Sequence, residues 1–115
     1  KATLNDLDKS LFYESMRWGL WSLRNAYPDA KIFVGNVLQR KDNPDIDYTN
    51  ANTALSLMAA QYNCVLVDQW NDSGVVRANE VVNANGLDLV DGLHPNHHGW
   101  LILASFWQGK ILAQF

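Results

Sequence analysis

The chain has 115 residues, 48% of them hydrophobic and including five Trp, four Tyr and four Phe, a composition that supports one small domain with an apolar core and argues against disorder. Its formal net charge is −3, and Arg17, Arg24, Lys31, Arg40, Lys41, Arg77 and Lys110 form no dense run, so neither a phosphate-binding surface nor a nucleic-acid partner is expected. The longest apolar run near the end, Trp100 to Trp107, is interrupted by Ser105 and falls well short of the roughly 20 residues that cross a bilayer, so no membrane span is expected.

Lys1-Ala2-Thr3 opens without methionine or an apolar signal region and reads as a processed, cleaved or engineered end. From about Leu7 to Tyr27, the residues Phe12, Met16, Leu20, Leu23 and Tyr27 recur at spacings of three and four, predicting a helix whose apolar face is widened by Leu11, Trp18 and Trp21. Asn5 or Asp6 is expected to cap it, and Pro28 ends it by disfavouring helical backbone at Tyr27. Ile32-Phe33-Val34 then reads as a short buried strand that leaves the sheet at Gly35-Asn36.

Gln39 to Asn50 is polar, with Lys41-Asp42-Asn43-Pro44-Asp45 marking a surface loop. Thr49 or Asn50 can cap a second helix with an inward stripe of Ala51, Ala54, Leu55, Met58 and Tyr62, followed by a second strand from Cys64 to Asp68. Cys64, the single cysteine, excludes an internal disulfide, leaves the redox compartment open and reads as a packed thiol. Gln69 to Val90 is expected to be loop, with a turn at Asn71-Asp72-Ser73-Gly74. Asn96 caps a last helix with a predicted sheet-packing stripe of Trp100, Leu103, Ala104, Trp107 and Ile111. Strand–helix alternation of this kind implies an α/β fold with a parallel sheet.

Asp91-Gly92-Leu93-His94-Pro95-Asn96 is the segment that carries chemistry. A histidine general base needs its ring held in one tautomer, and a carboxylate accepting from Nδ1 does this while leaving Nε2 free for a nucleophile. Gly92 permits a backbone that a side chain would forbid, and Pro95 biases His94 to an extended conformation, so Asp91 and His94 are expected in a loop that folds the carboxylate onto the imidazole. Asn36 and Asp68 end the two strands, where ligands of open α/β sheets bind, and are candidate substrate contacts. His97, in the first turn of the last helix beside His98, is a third. The spacing of Asp91, His94, His97 and His98 is not that of a zinc helix motif, and no metal or other cofactor is expected.

With its Asp-x-x-His-Pro block, its Tyr27-Pro28-Asp29-Ala30-Lys31 segment leading into a strand, and its order of elements, the chain resembles the C-terminal half of the SGNH/GDSL hydrolase family. The resemblance implies that residues 1–115 are the C-terminal portion of a three-layer α/β/α, flavodoxin-like domain with a parallel sheet, its N-terminal portion lying upstream or on another chain. It implies a serine ester hydrolase in which Asp91 orients His94, acting on a small acyl ester such as an acetylated carbohydrate. A secreted or virion-associated setting is favoured over a cytoplasmic one.

The family's Gly-Asp-Ser nucleophile block, its glycine block and its Gly-x-Asn-Asp block have no full match. Ser73 follows Asp72, but Asn71 stands where glycine belongs, and Asn5-Asp6 has Thr3 at its glycine position. Turn formation and helix capping account for both. Ser10, Ser15, Ser22, Ser56 and Ser105 all fall in predicted helices. The rival expectation is a non-catalytic SGNH-like binding or structural module, such as an adhesion or virion component.

Overall fold

A computed structural model describes residues 12–42, 48–83 and 86–115 of the chain. The helix start expected at Leu7, the contribution of Leu11, the caps at Asn5 or Asp6, Ser10 and the centre of the 39–50 loop lie outside the described residues. The elements run α1 (Phe12–Ala26), β1 (Phe33–Gly35), α2 (Thr49–Gln61), β2 (Val65–Val67), α3 (Gln69–Asp72), α4 (Arg77–Val82) and α5 (His97–Leu112). Strands β1 and β2 form a two-stranded sheet. Its ladder is parallel: the Val65 N–H donates to Ile32 O at 2.8 Å and the Asn36 N–H to Val67 O at 3.2 Å. The chain divides into two compact units, one of residues up to Val34 with Thr49–Leu66, the other of Gly35–Tyr48 with Val67–Phe115.

In the first unit Leu20, Val34, Leu55, Met58, Ala59 and Tyr62 are buried together, with Met16, Trp21, Ala54, Cys64 and Leu66 packed against them. Each large side chain so buried contributes about 1.5–3 kcal/mol. On α2 the expected Leu55, Met58 and Tyr62 are buried with Ala54 against them and Ala59 joins them, while Ala51 is half-buried outside the cluster; α1 turns differently. Met16 and Leu20 face inward, whereas Phe12, Leu23 and Tyr27 are exposed. The reason is Arg24, which occupies the inner position of the last turn. Its guanidinium donates to the carbonyls of Tyr62 at 2.9 Å, Asn63 and Ala30 at 2.8 Å, Pro28 at 3.1 Å and Tyr27 at 3.3 Å. These carbonyls lie just past the ends of α1 and α2, where intrahelical donors run out, and a fork of five N–H donors is suited to gather them.

The second unit packs around Val75, Leu89 and Leu103, with Leu38 and Ile102 against them. Residues 69–90, expected as loop, contain α3 and α4. Both are too short for a periodic apolar face, and they are held from outside. Asp68 caps α3, accepting from the Asn71 N–H at 3.1 Å, and Gln39 accepts from the Arg77 N–H at 2.9 Å while donating to Trp70 O at 2.7 Å. Of the turn expected at Asn71-Asp72-Ser73-Gly74, the first two residues belong to α3 and only Ser73 and Gly74 bend the chain: Ser73 is buried, its Oγ accepting from the Val75 N–H at 3.2 Å, and Gly74 takes a φ of 89°.

Asn96 caps α5 as expected, accepting from the Gly99 N–H at 2.9 Å. The inward face of α5 is rotated from the expected stripe: Gly99 and Leu103 are buried and Trp107 half-buried, while Trp100, Ala104 and Ile111 are exposed. Trp107 fixes that rotation. Its ring lies against Gly35, where an added Cβ would come within 2.8 Å of Trp107 Cζ2, and its indole N–H donates to Gln69 Oε1 at 2.8 Å.

These packings predict opposite signs for three glycine-to-alanine changes. Gly19 and Gly109 lie inside α1 and α5 with nothing within 4 Å of an added Cβ. Gly19→Ala and Gly109→Ala should each stabilise by about 0.5–1 kcal/mol. Gly35→Ala should destabilise by about 1–3 kcal/mol through overpacking against Trp107. Chemical denaturation of the three variants checks the signs.

Candidate functional site

The segment from Leu87 to Asn96 folds back on itself within the second unit. The Val90 N–H donates to His94 O and the Asn96 N–H to Asp88 O, both at 2.8 Å, and Leu89 and Pro95 form an antiparallel bridge. Asp91-Gly92-Leu93 is the tip. Gly92 carries a φ of 81°, a conformation that disfavours any side chain, and its carbonyl accepts from the Lys41 N–H at 2.6 Å and the Asp42 N–H at 3.2 Å. The tip is thus tied on both sides, and Asp42 is in turn paired with Arg40.

Within the tip, Asp91 Oδ1 accepts from the backbone N–H of Leu93 at 2.9 Å and of His94 at 2.7 Å, while Oδ2 lies 2.6 Å from His94 Nδ1. A carboxylate can only accept, so the imidazole proton sits on Nδ1, and in the neutral ring Nε2 carries a lone pair. The side chains of His94 and Asp91 are 71% and 50% exposed, which leaves Nε2 accessible to a reacting group. The His94 N–H, the His94 ring and the Leu93 N–H hold the Asp91 carboxyl well below the usual carboxylate range, so it remains ionised and acceptor-only. This is the loop geometry that the sequence predicts for the pair.

Asn36 and Asp68 are brought together at the strand ends. The Asn36 amide donates to Asp68 Oδ1 at 2.8 Å and accepts from the Trp70 N–H at 3.1 Å, while Asp68 Oδ2 accepts from the Asn71 amide at 2.8 Å. Burial pushes the Asp68 carboxyl up, but the hydrogen bonds from Asn71 and Asn36 outweigh it and hold the group below its ordinary range. Asn36 is buried and Asp68 half-buried. His97 is exposed at the first position of α5.

Two residues of this region carry no signal in the sequence. Asp88, 2% exposed, accepts at 2.5 Å from His98 Nδ1, making a second carboxylate–imidazole pair whose ring is 62% exposed. Glu80, completely buried on α4, accepts from the N–H groups of Asp88 at 2.6 Å, Leu87 at 3.0 Å and Leu89 at 3.4 Å. A lone acid in a short polar helix reads as a solvated residue, and only the turned-in amides reveal otherwise. A cavity of about 430 Å³ adjoins Asp91 and is lined by Lys41, Asp42, Glu80, Leu89, Val90 and Gly92 among others. A larger one, about 540 Å³, lies in the first unit beside Arg17, Leu57 and Met58 and contains no histidine. Among the described residues no group of three or more His, Cys, Asp or Glu is arranged to hold a metal ion, and no helix is long and apolar enough to cross a membrane.

Helices alternating with a parallel two-stranded sheet define an α/β fold. Comparison with solved structures agrees. The chain superposes on a protein from Parabacteroides merdae designated a GDSL-like lipase, with a TM-score of 0.66 and 16% identity over 86% of this chain. At that identity the likeness establishes the fold alone: the chain has a GDSL-like α/β fold. It spans 47% of that protein's length. Comparison with protein-family models and with curated proteins gives no match.

The depressed Asp91 carboxyl yields a prediction with a definite sign. A folded pKa below the unfolded value of about 3.9 contributes stability above that pH, and the contribution disappears as pH falls through the folded pKa. Thermal unfolding from pH 6 to pH 2 should therefore separate wild type from Asp91→Asn at the upper end and bring them together towards the lower end. A constant difference would mean that the carboxylate's charge does not contribute.

Proposed function

We propose that this chain carries the histidine and aspartate of a serine ester hydrolase of the SGNH/GDSL type. The observation that carries the reading is the 2.6 Å contact between His94 Nδ1 and Asp91 Oδ2 on a turn tied from both sides, with the opposite face of the ring accessible. The designation of the structural neighbour as a GDSL-like lipase agrees in reaction class.

In this reading His94 Nε2 takes the proton of a serine hydroxyl as its oxygen attacks the ester carbonyl, and Asp91 stabilises the imidazolium that forms. The proton passes to the leaving alcohol and an acyl-enzyme remains. Water then attacks that ester with His94 again as base, releasing the acid and freeing the serine. The substrate class proposed is a small acyl ester, such as acetyl on a carbohydrate or another alcohol. Asp68 and His97 are proposed to face it, and the buried Asn36, which donates to Asp68, contributes by holding that carboxylate in place.

The serine and the oxyanion donors are proposed to come from the N-terminal portion of the same domain, as an upstream segment or a second chain. Two observations support this. The chain spans 47% of a protein sharing its fold, and α5 is apolar on its outer side too, with Trp100 61% and Leu112 63% exposed, as befits a helix covered on more than one face.

The test uses the intact protein, with whatever segment precedes this chain. Treatment with a fluorophosphonate should add one label to a serine outside residues 1–115, and His94→Ala should abolish labelling and lower the hydrolysis of p-nitrophenyl acetate by about 10³-fold or more. An intact protein that neither labels nor hydrolyses the ester would favour the non-catalytic binding module.

A further inference from the structure

Glu80 is a buried acidic residue, and among the described residues no cationic side chain hydrogen-bonds it. Its Oε1 accepts from the Asp88 N–H at 2.6 Å, and its Oε2 from the N–H groups of Leu87 at 3.0 Å and Leu89 at 3.4 Å. A carboxylate withdrawn from water is tolerated only where its lone pairs are filled, and three converging backbone donors fill them. Those donors belong to consecutive residues, so the carboxylate fixes the path of the chain through 87–89.

That path leads directly into the candidate site. Asp88 O accepts from the Asn96 N–H and Leu87 O from the Asn96 side chain at 3.0 Å, while the Val90 N–H donates to His94 O. The Asp88 side chain, turned by the same backbone, grips His98. Every residue between Glu80's partners and His94 is therefore either in the antiparallel pairing or in the three-residue tip, and a shift at 87–89 is passed to the imidazole.

We propose that Glu80 is a positioning residue for the Asp91–His94 pair, acting through the backbone of Leu87, Asp88 and Leu89. The proposal rests on the reading of that pair as a hydrolytic base. It also names what the side chain must be. Glutamine is isosteric but presents an NH2 to at least one backbone N–H, so one arm of the clamp must release. Aspartate keeps the charge but is one methylene short of spanning both arms.

Two readouts test it on the intact protein. One is p-nitrophenyl acetate hydrolysis. The other is the far-downfield proton resonance of His94 Nδ1–H, identified by its absence in Asp91→Asn. Glu80→Gln that is folded by circular dichroism should lose or broaden the resonance and lower kcat by about tenfold or more with KM changed less than about twofold. A folded Glu80→Gln with wild-type kcat and resonance overturns the proposal. Should it not fold, Glu80→Asp is read in the same way, with the same losses expected. If neither variant folds, Glu80 is a folding residue and the positioning role is overturned. A wild type that hydrolyses no ester while Glu80→Gln still loses the resonance upholds the positioning role and removes the esterase reading, so the two failures are distinguished.

Discussion

The N–H groups of Leu87, Asp88 and Leu89 converge on one buried carboxylate, and the geometry of the Asp91–His94 turn follows from that convergence. Withdrawing a carboxylate from water has an effective penalty of several kcal/mol, so Glu80 is stable in its place only because the backbone comes to it. Among the described residues, these backbone donors have no ladder partner on that side. Each requirement satisfies the other, and the segment that follows inherits a fixed starting point. From there the pairing of 88–90 with 94–96, and the anchoring of Gly92 O by residues 41 and 42, leave the tip little freedom.

Two carboxylate–imidazole pairs emerge from this frame, and their environments differ. Asp88 is buried and its histidine projects outward, whereas Asp91 and His94 are both largely exposed. The first pair closes a structural circuit, since Asp88 also receives the Asn96 N–H on its carbonyl and donates its own N–H to Glu80. The second has two backbone donors and the imidazole on one carboxylate, which orients the ring without enclosing it. An oriented and accessible imidazole is what a general base requires, and an enclosed carboxylate is what a stable loop requires. The two pairs divide those tasks along eleven residues of chain.

Much of this was legible in the sequence where a local rule applied. The Asp-x-x-His turn, the Asn96 cap, the α2 stripe and both strands follow from short-range chemistry and period. What was not legible depends on partners distant in sequence. Arg24 displaces the apolar face of α1 because carbonyls at residues 62 and 63 come to it, and no periodicity encodes that. Helices α3 and α4 are too short to show a period and owe their ends to Gln39 and Asp68. The rotation of α5 is set by Trp107 meeting Gly35, and the outer apolar residues of that helix mask the inner stripe because they are equally hydrophobic. Glu80 was invisible for the opposite reason, since a single acid in a polar stretch looks like surface.

Asp91 holds His94 as the tautomer protonated on Nδ1, which leaves the Nε2 lone pair that the proposed base needs. Nitrogen-15 NMR of the histidine ring in the intact protein, at a pH where the imidazole is neutral, tests this most directly. The expected result is an Nδ1 shift of the protonated type and an Nε2 shift of the unprotonated type, both reversed or averaged in Asp91→Asn. A proton on Nε2 in the wild-type protein would contradict it.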